Sequence, residues 1–338
     1  MKDLSTLPGA VYTEWVIPFL SDALACGQKV ALVTLVGVTG SSPRPLGSQM
    51  AVREDGASIG AISGGCVEQS LVLDALKAMH EGAGRLERYG QGSRFIDIRL
   101  PCGSGIDVLT DVGVTPEVVS GLLAARRERS PIAMAIDIGG KNSWLACKDD
   151  AIPASLDGIF FRPYAPPCRV TVAGAGHIMV ALAILCRLCE IEIDLVCTDQ
   201  LTRLILQQQG FAINPAVTWQ QVEWEALDSW CGVILLSHDH DGEADVLCRV
   251  MRRPVFHAGA LRSHRTHARR CALLRDMGVA QTDIMRIRGP VGLNLGASTP
   301  PEIAVSILAE IIEAWRKRSS DWGAGIHSSD GLIAKVTV

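Results

Sequence analysis

Hydrophobic and polar positions follow two textures along the chain. Before about residue 150, strands and helices mix irregularly; beyond residue 168 they alternate. "KVALVTLVGVTG" (29–40) is a β-branched run stopped by glycine and predicts a buried strand. "SSPRPLGSQMAVREDG" reads as a loop with two prolines, then a short strand ending in a turn. "SIGAISGG" leads into "CVEQSLVLDALKAMHEG", where Val72, Ala75, Leu76 and Met79 share one helical face before Gly82 stops it. "RFIDIRLPCGSGIDVLTDV" (94–112) predicts strand, glycine-rich turn, strand. "TPEVVSGLLAARRERS" predicts a helix capped by Thr115, with Pro116 in its first position. "PIAMAIDI" and "SWLACK" predict a hairpin around Gly139 and Gly140. Together these make an α+β domain over residues 1–150.

The proline-rich passage within 151–167, "DGIFFRPYAPPC", predicts a linker. Over 168–318, "CRVTVAGAGH", "IEIDLVCTD", "GVILLSHDHDGE" and "PVFHAGAL" read as strands. Helices such as "IMVALAILCRLCE" and "PPEIAVSILAEIIEAW" alternate with them. That alternation predicts a Rossmann-like, doubly wound parallel sheet, followed by a C-terminal tail at 319–338. The fold class expected is α/β, an N-terminal α+β domain followed by a Rossmann-like domain.

Composition narrows the function classes. At 338 residues there is room for two cores, and 48% hydrophobic against 20% charged residues indicates a globular chain. A net charge of −4 gives no support to a nucleic-acid or anionic-membrane partner. The local basic stretch "LRSHRTHARR" (261–270) reads as a solvated helix face. The start, "MKDLSTLPGAVYTEW", lacks an apolar signal region, and the longest apolar run, "IMVALAILC", is about half a membrane span. A cytoplasmic location is therefore expected, where the 11 cysteines stay reduced. "CRLC" (186–189) reads as a coincidence of spacing within a helix.

Four places carry candidate chemistry. "SGGC" (63–66) offers successive amides to an anion such as a phosphate, and puts Cys66 in what reads as the first turn of a helix, where the thiolate is favoured. "PCGSG" (101–105) places Cys102 in a turn whose glycines let a ligand approach the backbone. Arg44, between two prolines, is a candidate phosphate partner. "GAGHIM" (174–179) follows a strand and opens a helix, with Asp199 about twenty residues on, the context of a dinucleotide fingerprint. The third glycine of that pattern is Met179 here. His177, "SHDHD" (237–241) and His257 are expected at strand ends along one sheet edge, as a polar rim contacting a ligand or a partner. The glycine-rich loop "GPVGLNLGASTPPE" ahead of the last helix suggests a further anion contact.

The order "SSPRPLGSQMAV", "GAISGGCVE", "LPCGSGIDVL", "VAGAGH", "SHDHD" and "RGPVGLNLGASTPPEIAVSILAEI" resembles the xanthine dehydrogenase accessory proteins, the XdhC/CoxI family, over about residues 29–316. The resemblance implies a dimeric cytoplasmic chaperone. It would protect the molybdenum cofactor (molybdopterin or its dinucleotide form), assist its sulfuration and insert it into a molybdenum hydroxylase apoenzyme. It places the family's cofactor-binding motifs on Ser63, Gly64, Gly65, Cys66 and Glu68, on Cys102 and Gly103, on Gly174, Gly176 and His177, and on Ser237, His238, Asp239 and His240. Ser104 replaces the family's second glycine after Cys102. Under this reading Cys66 and Cys102 flank the cofactor, and one of them contacts molybdenum or a transferred sulfur. A maturation factor is then expected rather than a turnover enzyme, and no catalytic residue is assigned. Three alternatives stay open, the blandest of them a partner-binding scaffold with no ligand. "GAGH" with Asp199 supports an NAD(P)-dependent oxidoreductase, and Cys66 or Cys102 carrying sulfur supports a thiol sulfurtransferase working with a cysteine desulfurase.

Overall fold

The computed structural model describes residues 13–42, 44–93, 103–146, 155–156, 158–216, 218–237, 240–261 and 263–322. The chain divides into two compact units, the second spanning Pro167–Asp321.

The first unit runs α1 (Ile17–Ala25), β1 (Val30–Thr39), β2 (Gln49–Arg53), β3 (Ser58–Gly60), α2 (Glu68–Glu81), β4 (Arg85–Gly90), β5 (Gly105–Asp111), α3 (Pro116–Arg127), β6 (Ile132–Asp137), β7 (Ser143–Ala146), β8 (Ser155–Leu156) and β9 (Ile159–Tyr164). β1 is the middle of an antiparallel sheet ordered β3-β2-β1-β5-β4. Its run of apolar residues is explained by two cores, one on each face. Leu32 and Val36 face α1, α3 and the second sheet, while Ala31, Val33 and Leu35 face Leu71, Ala75 and Met79 of α2. The β2–β3 turn is tight, with Asp55 accepting from the Ala57 amide at 3.0 Å and pairing with Arg53. Thr115 caps α3 by accepting from the Val118 amide, and Pro116 opens it, as the sequence predicts.

The second sheet of this unit, ordered β7-β6-β9-β8, corrects the linker reading. Residues 159–164 pair with β6 from Asp137↔Ile159 to Ile132↔Tyr164, and Phe160 and Tyr164 enter the core. The proline that suggested a linker, Pro163, sits within β9 opposite Ala133 of β6, and among the described residues β8 pairs with Ile159 and Phe160 but not with Pro163.

The second unit runs β10 (Arg169–Gly174), α4 (His177–Leu188), β11 (Glu192–Val196), α5 (Gln200–Gln208), β12 (Cys231–Leu236), α6 (His240–Val250), β13 (His257–Ala260), α7 (His264–Asp276), α8 (Gln281–Ile284), β14 (Ile287–Arg288) and α9 (Pro300–Trp322). All five strands are parallel in the order β11-β10-β12-β13-β14. Alternate residues of β12 separate the two cores. Val233 and Leu235 pack with residues of α6 and α7, Ile234 and Leu236 with residues of α4 and α9. This is the doubly wound arrangement the alternation predicts, with its switch point between β10 and β12. α9 continues to Trp322, four residues into the stretch read as a tail.

Candidate functional site

Strand directions in the first sheet bring three loops to one end of it. β1, β3 and β4 finish there and β2 and β5 begin there, as the pairs Met50↔Gly60, Thr39↔Gly105 and Gly90↔Gly105 show. The connections 40–48, 61–67 and 91–104 therefore join at the same end, and they include Arg44, the Ser63–Cys66 turn and Gly103. Cys102 lies outside the described residues. Gly103 is exposed at φ +67°, a left-handed conformation suited to glycine.

The Ser63–Cys66 turn is an amide nest, and it is filled from within the chain. Glu68 accepts from the amides of Ile62 (3.2 Å), Ser63 (2.8 Å), Gly64 (3.1 Å), Gly65 (2.9 Å) and Val67 (3.1 Å). The Ser63 hydroxyl donates to the same carboxylate at 2.8 Å and accepts from the Cys66 amide at 3.2 Å. Burial alone raises the Glu68 pKa, but the Ser63 amide and hydroxyl and the Gly64 amide outweigh it and hold the group at about 2. The anion expected in this nest is thus the protein's own. Helix α2 begins at Glu68 with Val67 as its N-cap, so Cys66 precedes the helix instead of lying in its first turn. Its thiol is exposed. Gly64 and Gly65, at φ +143° and +110°, allow the chain to turn its amides inward. Nothing lies within 4 Å of a Cβ built on Gly65, so its backbone angle alone calls for glycine.

Arg44 pairs with Glu14, which holds the guanidinium that sequence reasoning offered to a phosphate. Sequence reasoning missed Arg88. Its guanidinium donates to the Gln91 carbonyl (2.8 Å), to Asp107 (3.0 Å) and to the Thr39 hydroxyl (2.8 Å). It thereby ties the ends of β4, β5 and β1 where Gly105 begins β5. No short motif signals this, because its partners lie up to 49 positions away. Glu68 had a signal, the carboxylate of a helix's first turn reaching back to the amides ahead of it.

In the second unit Gly174 and Gly176 lie where the fingerprint requires, at the end of β10. A Cβ on Gly174 would sit 2.4 Å from the Leu236 carbonyl, so glycine is what lets β10 and β12 approach at the switch point. The amide of Gly176, however, donates to the Thr202 hydroxyl at 3.0 Å. Asp199 holds that threonine, accepting from its hydroxyl at 2.6 Å and its amide at 2.8 Å as the cap of α5. These bonds, the hydroxyl's first, lower the Asp199 pKa. His177 opens α4 and is exposed. Met179, in place of the third glycine, is fully buried in the core beneath it.

His238 and Asp239 lie outside the described residues, as does the side chain of His240, the first residue of α6. Ser237 is buried after the end of β12. His257 does not join this edge. It is the first residue of β13 and pairs with Gly232 at the start of β12, so it lies at the opposite, N-terminal edge of the sheet. The loop before α9 repeats the pattern of the nest. Glu302 accepts from the Ser298 and Thr299 amides (2.9 and 3.1 Å), and Glu310 from the Gly292 amide (2.6 Å). Among the described residues no three His, Cys, Asp or Glu side chains converge as a metal set, and no helix is long and apolar enough to cross a membrane.

Comparison with known proteins places these features in a family context. The model of the XdhC Rossmann domain matches residues 170–311, and that of the XdhC and CoxI family matches residues 23–90. The molybdenum cofactor insertion chaperone PaoD of Escherichia coli is 32% identical over 296 residues, covering 88% of this chain and 86% of PaoD. The uncharacterized protein YqeB of the same organism is 29% identical over 288 residues, which span 84% of this chain and 43% of YqeB. A crystal structure titled as a xanthine dehydrogenase from Bacillus halodurans shares the fold, with a TM-score of 0.70 at 21% identity over 89% of this chain and 96% of that one.

Proposed function

Because this chain belongs to the XdhC and CoxI family, we propose that it is a chaperone that holds the molybdenum cofactor and passes it to a molybdenum hydroxylase apoenzyme. The observation that carries this reading is the exposed Cys66, presented on a turn that Glu68 fastens through five amides. A thiolate is a soft ligand, suited to molybdenum or to sulfur held on it. When bound, the cofactor supplies the metal, its dithiolene sulfurs and a phosphate. The donor set at the loop end fits the sulfur-rich part of that group through Cys66, with Cys102, two residues ahead of Ser104, as a second candidate. It does not fit the phosphate at the Ser63–Cys66 nest, because Glu68 takes those amides. Their role is to hold the thiol's loop in one shape before the cofactor arrives, which lowers the ordering cost of binding.

The oxidoreductase alternative draws less support from this geometry, since Thr202 engages the Gly176 amide that a pyrophosphate would use. Assistance in sulfuration, with a cysteine desulfurase as donor, belongs to the chaperone reading as its second step. A homodimer in the cytoplasm is the expected working form.

The test is anaerobic purification from a host that makes the cofactor, with molybdenum measured by mass spectrometry and pterin by fluorescence after oxidation. Wild type should retain both, and transfer them to a co-expressed molybdenum hydroxylase apoenzyme. Cys66→Ser should lose most of the molybdenum, whereas Cys26→Ser, at another exposed thiol, should not. Equal retention by wild type, Cys66→Ser, Cys102→Ser and the double variant would sink the proposal.

A further inference from the structure

The N-terminal edge of the parallel sheet holds a cleft that the cofactor reading does not use. Its volume is about 460 Å³, and β13, β14 and α9 contribute to it. At its floor the His257 imidazole and the Glu310 carboxyl face each other, Nε2 to Oε1 3.4 Å, with side chains 3% and 10% exposed. Neither atom makes a hydrogen bond among the described residues. Glu310 is anchored through its other oxygen, which takes the Gly292 amide. The two atoms contact only each other and complete no hydrogen bond among the described residues, so a third polar group that reaches both would satisfy them.

The walls add two further chemistries. Met251, Val255 and Phe256 form an apolar side with one aromatic ring. The cations divide into spent and free. Arg286 is saturated by the carbonyls of Met251, Arg253 and Val255 and by Asp283, and Arg318 is held by Ser229. Arg288 and Lys317 are exposed and make no hydrogen bond or ion pair among the described residues. Glu313 also lines the cleft. Burial, aided by the charge of Arg288, pushes the His257 imidazole down to about 4 and leaves it neutral near pH 7, while burial pushes Glu310 up.

We propose that this cleft binds a nucleoside monophosphate, its phosphate held by Arg288 and Lys317, its base against Phe256 and its polar base edge on His257 and Glu310. A neutral imidazole and a carboxyl acceptor suit the N–H and ring-nitrogen edge of a heterocycle. The two free cations suit a phosphate, and the cavity is of the size of small-ligand sites. The site lies across the sheet from Gly174 and Gly176, and it stands or falls independently of cofactor binding by the first unit.

Isothermal titration calorimetry of the full chain with the four common nucleoside 5′-monophosphates, ribose 5-phosphate and inorganic phosphate tests this. Saturable binding of at least one nucleotide is expected, tighter than either base-free probe. Arg288→Ala and Lys317→Ala, both at exposed positions, should each weaken it by about tenfold, the loss expected for one charge-assisted hydrogen bond. Glu310→Gln should change which base binds best while leaving phosphate affinity in place. No nucleotide binding, equal affinity for inorganic phosphate, or binding that survives Arg288→Ala with Lys317→Ala would overturn the proposal.

Discussion

Replacing Glu68 by glutamine removes the charge that the Ser63–Cys66 nest encloses, with almost no change in shape. The amide group of glutamine offers one acceptor oxygen where the carboxylate offers two. Its NH₂ must then confront N–H donors of the nest, such as those of Gly65 and Val67, which donate to one carboxylate oxygen. The pKa of Glu68 falls from 4.5 to about 2. At about 1.4 kcal/mol per pKa unit the charged form is favoured by a ceiling of about 3 kcal/mol. Glu68 is only half-buried, and solvent screening brings the local effect to about 1–2 kcal/mol. Because the folded pKa lies below the unfolded one, this stabilisation is present above pH 4.5 and is lost as the pH falls toward 2. Amide hydrogen exchange resolved to residues 62–67 reads the effect without assuming that two units unfold together. At pH 7 the variant should exchange there roughly 5–30 times faster than wild type, with β1 and β5 unaffected. Corrected for intrinsic rates, the gap should narrow below pH 4.5. Alkylation of Cys66, read by mass spectrometry, should become heterogeneous in the same variant. Unchanged exchange at 62–67, or a gap that persists undiminished at pH 3, would refute the account of the nest.

Two further outcomes follow from buried geometry. Asp111 is fully buried on β5, with Oδ2 making no hydrogen bond among the described residues; burial, opposed by the Gly113 amide and Ser143, pushes its pKa from 3.8 to about 6. A raised acid pKa means stability present below pH 3.8 and lost as the pH rises through about 6, so Asp111→Asn should stabilise the protein by about 2 kcal/mol at pH 8 and hardly at pH 4. Thermal melts at the two pH values check this, and an equal shift at both would contradict it. Gly174→Ala places a methyl 2.4 Å from the Leu236 carbonyl and should destabilise the second unit by about 3 kcal/mol, whereas Gly176→Ala meets open space and should cost about 1–2 kcal/mol of backbone strain. Urea denaturation ranks the pair, and the reverse order would show that β10 and β12 can spread apart.

Much of the fold was legible because the residues declare their period. β1 and β10 are β-branched and stopped by glycine, and α3 carries both its cap and its opening proline. What failed had identifiable reasons. α1 has no side-chain cap and follows Val16, so nothing polar marks its start. β9 was hidden by Pro163, a residue that usually argues against a strand, yet it pairs opposite Ala133 of β6. His257 was put at the wrong edge because "PVFHAGAL" begins its strand at the histidine and not before it. The candidate loops were found by their glycines, but their occupants were not. Glycine spacing reveals inward-turned amides and says nothing of whether a ligand, or a carboxylate five residues on, accepts from them. Glu68, Glu302 and Thr202 each fill a place that sequence reasoning left for an anion.

The β2–β3 turn has a practical consequence. It sits at the far end of its sheet from the loops that carry Cys66 and Gly103, since β2 begins at the loop end and leaves it. Asp55 and Gly56 hold the turn through local bonds alone, with Gly56 at φ +86° and no packed neighbour closer than 4.0 Å to a Cβ built there. A tag, dye or surface tether grafted at Asp55 would leave the cysteine loops of its own unit facing solution. Loading and release could then be followed on immobilised molecules, one at a time.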